Sequence, residues 1–183
     1  MKPRPFDPLH LAVAAFAKEA GELDGEWPLA SLERLVDAAH ADAKPANCDV
    51  ARWRAVGESR PMRGAPAQVW LHLSAEASLS LICQRCLAPL LEHIEARRDF
   101  LFAPDEASAA ELDADSEDDV LAMTRSLDLR ALVEDELLLA LPLVPRHPVC
   151  PEPLPVPADD AEIEPERPNP FAALAALKRG PAS

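Results

Sequence analysis

Cys83 and Cys86 stand two residues apart in "LSLICQRCLAPL", and His147 and Cys150 repeat that gap in "RHPVC". Thiolates and an imidazole at this spacing suit a tetrahedral zinc ion, because two intervening residues make a turn that puts both donors on one side. Cys83, Cys86, His147 and Cys150 form a candidate Cys3His set whose halves lie sixty residues apart. Two other chemistries fit the first pair alone. A hairpin turn carrying two reduced thiols needs no metal. A redox pair needs its CxxC at a helix N-terminus, whereas "LAPLLEHIEARR" after Cys86 brings a proline and then strand-like alternation. Cys48, in the strand-like "NCDVARWRAV", is expected to be a core thiol.

Other chemistry lacks its residues. There is no glycine-rich phosphate loop and no nucleophile with a placed histidine, and the five histidines are scattered. Glu134, Asp135 and Glu136 are consecutive on a helical pattern, so they point around the helix and are expected on its solvated face. An enzyme with a small-molecule substrate is not expected. A net charge of −14 argues against a surface that binds phosphate everywhere. Between Lys44 and Phe102, however, eight bases face six acids. Arg52, Arg54, Arg85, Arg97 and Arg98 are therefore candidate nucleic-acid contacts, with Trp53 or Trp70 available to stack on bases. Four cysteines in 183 residues are too few for a disulfide scaffold and suit a reducing compartment, the cytoplasm.

The elements that must position these residues follow from periodicity. "QVWLHLSAEASLSL" alternates, with Val69, Leu71, Leu73, Ala75, Ala77, Leu79 and Leu81 on one side, and predicts a strand. "NCDVARWRAV" and "LLEHIEARRDFLF" alternate more weakly and extend it into an antiparallel sheet with one wet face. "LASLERLVDAAHA" predicts an amphipathic helix with Ser31 as N-cap. "SLDLRALVEDELLLALP" predicts a second, capped by Asp128 or Ser126 and stopped at Pro142. The expected fold is α+β, an antiparallel sheet with a few helices packed on one face.

Composition sets the boundaries. Pro104 to Asp119 holds eight acids and little to bury, and is expected as a disordered loop at 104–119 inside a single domain spanning 1–147. Residues 148–183 read as a Pro-rich acidic tail ending in a short helix at 169–179, where Phe171, Leu174 and Leu177 line one side as candidate partner-docking residues. The start "MKPRPFDPLHLAVAAFAKEA" has too short and too interrupted an apolar run for a signal peptide and is expected to be structural, and no stretch is long and apolar enough for a membrane span.

"CQRCLAPL", "LDLRALVEDELLLALPLVPRH" and "RPNPFAALAALKR", in that order over residues 83 to 179, resemble the large ribosomal RNA subunit accumulation (YceD-type) family. The resemblance implies a cytoplasmic, non-enzymatic protein needed for synthesis, processing or stability of 23S ribosomal RNA. Its implied partners are the maturing large ribosomal subunit, through 23S rRNA or through ribosomal proteins. A fuller second cysteine cluster in some relatives implies a metal-binding ancestry for Cys83, Cys86, His147 and Cys150. Two modes stand open: direct RNA contact by the arginines, or acidic segments that engage basic ribosomal proteins or an assembly factor.

Overall fold

A computed structural model describes residues 6–151 apart from Asn47 and Glu117. Its centre is one sheet in the order β1 (Glu22–Pro28), β2 (Val50–Arg60), β3 (Gln68–Ile82), β4 (Pro89–Ala103), β5 (Asp119–Ala122). The first three pairings are antiparallel and the last is parallel. Four helices accompany it: α1 (Val13–Lys18), α2 (Glu33–Asp37), α3 (Glu106–Asp115) and α4 (Leu129–Leu139). The α+β class and the three long strands stand as expected. The tail helix expected at 169–179, with Phe171, Leu174 and Leu177, lies outside the described residues. One compact unit ends at Cys150.

Alternation on β3 decides what faces the helices. Leu71, Leu73, Ala75, Ala77, Leu79 and Leu81 are buried, and α4 lays Leu129, Val133 and Leu137 over that face at zero exposure. Each such leucine stabilises the fold by roughly 1.5–3 kcal/mol. Asp128 caps α4, accepting from the Arg130 and Ala131 amides at 2.9 and 3.1 Å. The expected N-terminal segment is structural: Val13, Phe16 and Ala17 of α1 are buried. Phe16 and α1 come so close to β2 that a Cβ on Gly57 would sit 2.8 Å from the Ala17 Cα.

Several expectations are corrected. The acidic stretch 104–119 is not a loop, because it contains α3. A parallel pairing of β4 with β5 requires a crossover of a dozen or so residues, usually helical. Asp105 supplies the N-cap by accepting from Ser108 N at 2.8 Å, and Ala109 is buried. The helix forms on alanine propensity and capping, without an apolar stripe. Ser31 is not an N-cap; its Oγ donates to Pro28 O at 2.7 Å in a 3-10 turn, and α2 begins two residues later. Cys48 is exposed in the turn before β2, two residues short of the sheet that was expected to bury it.

The acidic triplet on α4 is also not a solvated face. Glu134 Oε1 accepts from the Arg34 and Leu35 amides at 2.7 and 3.2 Å, while Oε2 accepts from the Arg34 guanidinium at 2.9 and 3.0 Å. Asp135 holds the same guanidinium. Glu136 Oε2 accepts from Arg98 Nε at 3.1 Å, and burial pushes its carboxyl up against the opposing pull of Arg98.

On the other face, β1 changes the charge balance that β2 to β4 alone would show. Glu26 and Glu22 bind Arg52 and Arg54 at 2.9 and 2.5 Å, and Glu76 also reaches Arg52. His72 lies between Asp99 and Glu58, at 2.7 and 2.9 Å. Burial lowers the His72 pKa, but the two carboxylates outweigh it and the net shift is upward. Arg60 and then His72 hold Glu58 down at about 2. The His72 contribution is complete below its ordinary 6.5 and is lost as pH rises through the raised value. The Glu58 contribution is complete above its ordinary 4.5 and is lost as pH falls toward 2. The stability gap between wild type and His72→Gln, measured as urea midpoints, is therefore expected to be widest between 4.5 and 6.5 and to narrow by pH 8. An equal gap at pH 5.5 and pH 8 would show that His72 acts without its charge.

Candidate metal centre

Cys83 follows the last residue of β3, where the strand's alternation ends in a tight turn. Leu87 N donates to Cys83 O at 2.9 Å and Cys83 N to Ala88 O at 3.0 Å, so Cys83 and Cys86 share one side of the turn. Leu87 takes φ +62, the left-handed region that glycine adopts freely and that costs another residue about 1 kcal/mol. Gln84 N donates to Pro145 O at 2.8 Å, which draws the segment after α4 across the turn and brings in His147 and Cys150.

The four side chains predicted from their spacing converge. All donor atoms of Cys83, Cys86, His147 and Cys150 lie within 4.8 Å of one another. Cys83 Sγ is 3.9 Å from Cys150 Sγ, and Cys86 Sγ is 3.4 Å from His147 Nδ1. A tetrahedron with zinc–sulfur bonds of about 2.3 Å has edges of about 3.8 Å, and slightly less to nitrogen. His147 Nε2 is 3.2 Å from Pro89 O, a carbonyl that can only accept. The proton is thereby placed on Nε2 and the Nδ1 lone pair faces the thiols, as a metal-ligating histidine requires.

Electrostatics point the same way. Burial pushes the Cys83 thiol up, but the His147, Cys86 and Arg85 amides and the Cys86 side chain outweigh it, and its pKa falls to about 5. The Ala88 amide lowers Cys86, yet burial and its bonds to Cys150 and Cys83 leave it raised. Two neighbouring thiols, Cys83 and Cys86, of which one favours its negative charge and the other resists it, are the situation a divalent cation resolves. Arg85 Nε donates to Cys150 Sγ at 2.9 Å and its Nη2 to His147 O at 3.0 Å, offsetting the remaining charge of a three-thiolate zinc site. The residues present fit zinc, which would act here as a structural cross-link between the β3–β4 turn and the segment after α4.

The arginine candidates do not form one surface. Arg85 is turned onto the thiols. Arg98 sits opposite Leu73 in the register, on the helix-facing side, and is held by Glu136. Arg52, Arg54 and Arg97 share the other face around Ser74, where a hollow of about 290 Å³ opens between them. Of these three, Arg97 stands out, 83% exposed with only a 3.9 Å contact to Glu95. Neither tryptophan offers a face to a base: each is 6% exposed, Trp53 stacked on Trp27 at 4.4 Å and Trp70 beneath the Arg60 guanidinium at 4.3 Å. Sequence reasoning missed the roles of Arg34, Glu134 and Glu136. Two acids on a helix otherwise rich in buried leucines were the available signal.

Comparison with known proteins gives a family for the chain. The family described as "Large ribosomal RNA subunit accumulation protein YceD" matches residues 71–178, which hold all four donors. The "Large ribosomal RNA subunit accumulation protein YceD" of Haemophilus influenzae is 37% identical over 112 residues, 57% of this chain and 62% of the relative. The match therefore spans less than two thirds of that relative's length. No solved structure matches. With more than half of its length under the family model, the chain belongs to the large ribosomal RNA subunit accumulation protein family, YceD.

Proposed function

We propose that this chain is a non-enzymatic cytoplasmic factor that sustains 23S ribosomal RNA by binding the maturing large ribosomal subunit, chiefly through basic protein surfaces rather than through bare RNA. Family membership supports the large-subunit role. Among the described residues, no helix is long and apolar enough to cross a membrane. The choice of binding mode is carried by one observation: four of the five candidate arginines are already spoken for, Arg52 and Arg54 by glutamates of β1, Arg85 by Cys150 and Arg98 by Glu136. A cation that must leave a carboxylate to meet a phosphate gains little, and of the five candidates only Arg97, with its 3.9 Å contact to Glu95, is loosely held, which does not supply a broad phosphate grip on this face.

The two modes differ in their salt response. Releasing counterions from six or more phosphates costs about a thousandfold in affinity between 50 and 200 mM salt. Association of the purified chain with large-subunit precursors is expected to fall less than about tenfold over that range, and protein-free 23S rRNA is expected not to compete. A loss near a thousandfold, together with abolition of binding by Arg52→Glu, Arg54→Glu and Arg97→Glu, would establish direct RNA contact instead.

A further inference from the structure

Beyond Glu76 on β3 and before Phe100 on β4, the two strands have no other strand beside them, since β2 pairs only up to Glu76 and β5 only from Phe100. They form a two-stranded arm with the Cys3His cluster at its tip, one face of it buried at Leu79, Leu81 and Ile94 and the edge of β3 met by His40, whose N donates to Ser80 O at 2.7 Å. Among the described residues, nine large apolar side chains are exposed, and six belong to this end: Ile82, Leu87, Leu91, Leu143, Val144 and Val149. Leu87 follows Cys86 and Val149 sits between His147 and Cys150, at 67% and 84% exposure, and Leu91 is 72% exposed two register steps from Ile82. Singly exposed aliphatics are ordinary, but a cluster of them around one turn marks an interaction site. Leu87 adds an independent sign: the turn holds a bulky side chain in water at φ +62, where glycine would sit without steric cost.

We infer that the tip of this arm is a docking surface for a basic protein that presents an aliphatic groove, with Leu87 as the anchor. The inference rests on the proposed large-subunit role and names the surface that performs it. RNA is the poorer occupant because none of the six exposed side chains is aromatic, so stacking is lacking, and with Arg85 committed to Cys150 and His147 phosphate contact is left to the exposed Arg146. A second copy is the poorer occupant because two chains of charge −14 repel, whereas a basic partner is drawn in by the same field.

Leu87→Gly separates binding from folding, because it removes the anchor and relieves the backbone at once. The probe is salt-washed large-subunit precursor particles from cells lacking this protein, mixed with the purified full chain. Leu87→Gly, and separately Leu91→Ser with Val149→Ser, are expected to weaken association at least tenfold, while the Leu87→Gly melting temperature stays equal or rises. If wild type binds and both variants bind equally well, the tip proposal is wrong and the large-subunit role survives. If wild type fails to bind the particles, that role fails and the tip proposal with it. Recovery of the same losses on protein-free 23S rRNA would make RNA the occupant. A wild-type dimer that the variants dissociate would make it a second copy. Either result overturns the proposal.

Discussion

Replacing Cys83 with serine is expected to lower the metal content from one zinc per chain to near none and to drop the melting temperature by about 10 °C. The size follows from what the cluster joins. Cys83 and Cys150 are 67 positions apart, and fixing two such points removes loop entropy from the unfolded chain worth about 4 kcal/mol in the cross-link model. For a domain of this size each kcal/mol shifts the midpoint by about 2–4 °C. The β-sheet keeps its own core, so the chain should not unfold outright as a zinc finger does. Hydrogen exchange should instead quicken first at Gln84 N, whose partner Pro145 O lies on the far side of the cross-link. Cys48→Ser is the control, because Cys48 lies outside the cluster and is exposed. Protein purified without chelator that carries no zinc, or whose Cys83→Ser variant melts with wild type, would return the four side chains to a hydrogen-bonded turn.

The four candidate donors were legible in the sequence because their chemistry is local to each half: a two-residue gap fixes a turn whatever the rest of the chain does. What joins the halves was not legible. Gln84 N to Pro145 O is a backbone bond, indifferent to side-chain identity, and Arg85 finds its sulfur 65 positions away. The long strands were legible for a similar reason, since β3 carries thirteen or so residues of unbroken alternation on which one buried face depends. β1 was not, because "ELDGEWP" interleaves acids with glycine and proline, and its extended form is imposed by pairing with β2. That one unseen strand reverses the charge argument: Arg52 and Arg54 looked like free cations only while Glu26 and Glu22 had no known position.

α3 and the α4 triplet show the complementary limit. Composition alone makes 104–119 look unfoldable, yet topology demands a crossover there, and a cap with four alanines suffices to make it helical. Charge alone makes Glu134 and Glu136 look solvated. Helical position says otherwise, because Val133 and Leu137 are fully buried and the acids beside them reach the edges of the same covered face, where Arg34 and Arg98 wait. These pairs tie α4 to α2 and to β4, so the helix that covers the sheet is also the element that precedes the segment carrying His147 and Cys150.

Glu134→Ala is expected to destabilise the chain by about 3 kcal/mol, the largest effect of any single surface-adjacent acid. α2 has no side-chain cap of its own, since Leu32 precedes it, and the Glu134 carboxylate accepts from its first amides in place of one. Removing it strands the Leu35 amide, which belongs to a fully buried residue, and releases the Arg34 guanidinium to Asp135 alone. Losing a cap costs about 1 kcal/mol and losing charge-assisted bonds about 1.5–3. Glu134→Gln separates the two contributions, because its carbonyl oxygen can still accept from both amides while the charge on Arg34 goes uncompensated on that side. It is expected to lose about 1 kcal/mol, with the Arg34 and Leu35 amides still protected from exchange, whereas in Glu134→Ala those two amides exchange far faster than the α4 amides. Equal denaturation midpoints for Glu134→Ala and wild type would mean that α2 is held by Leu35 packing alone and that the carboxylate is incidental.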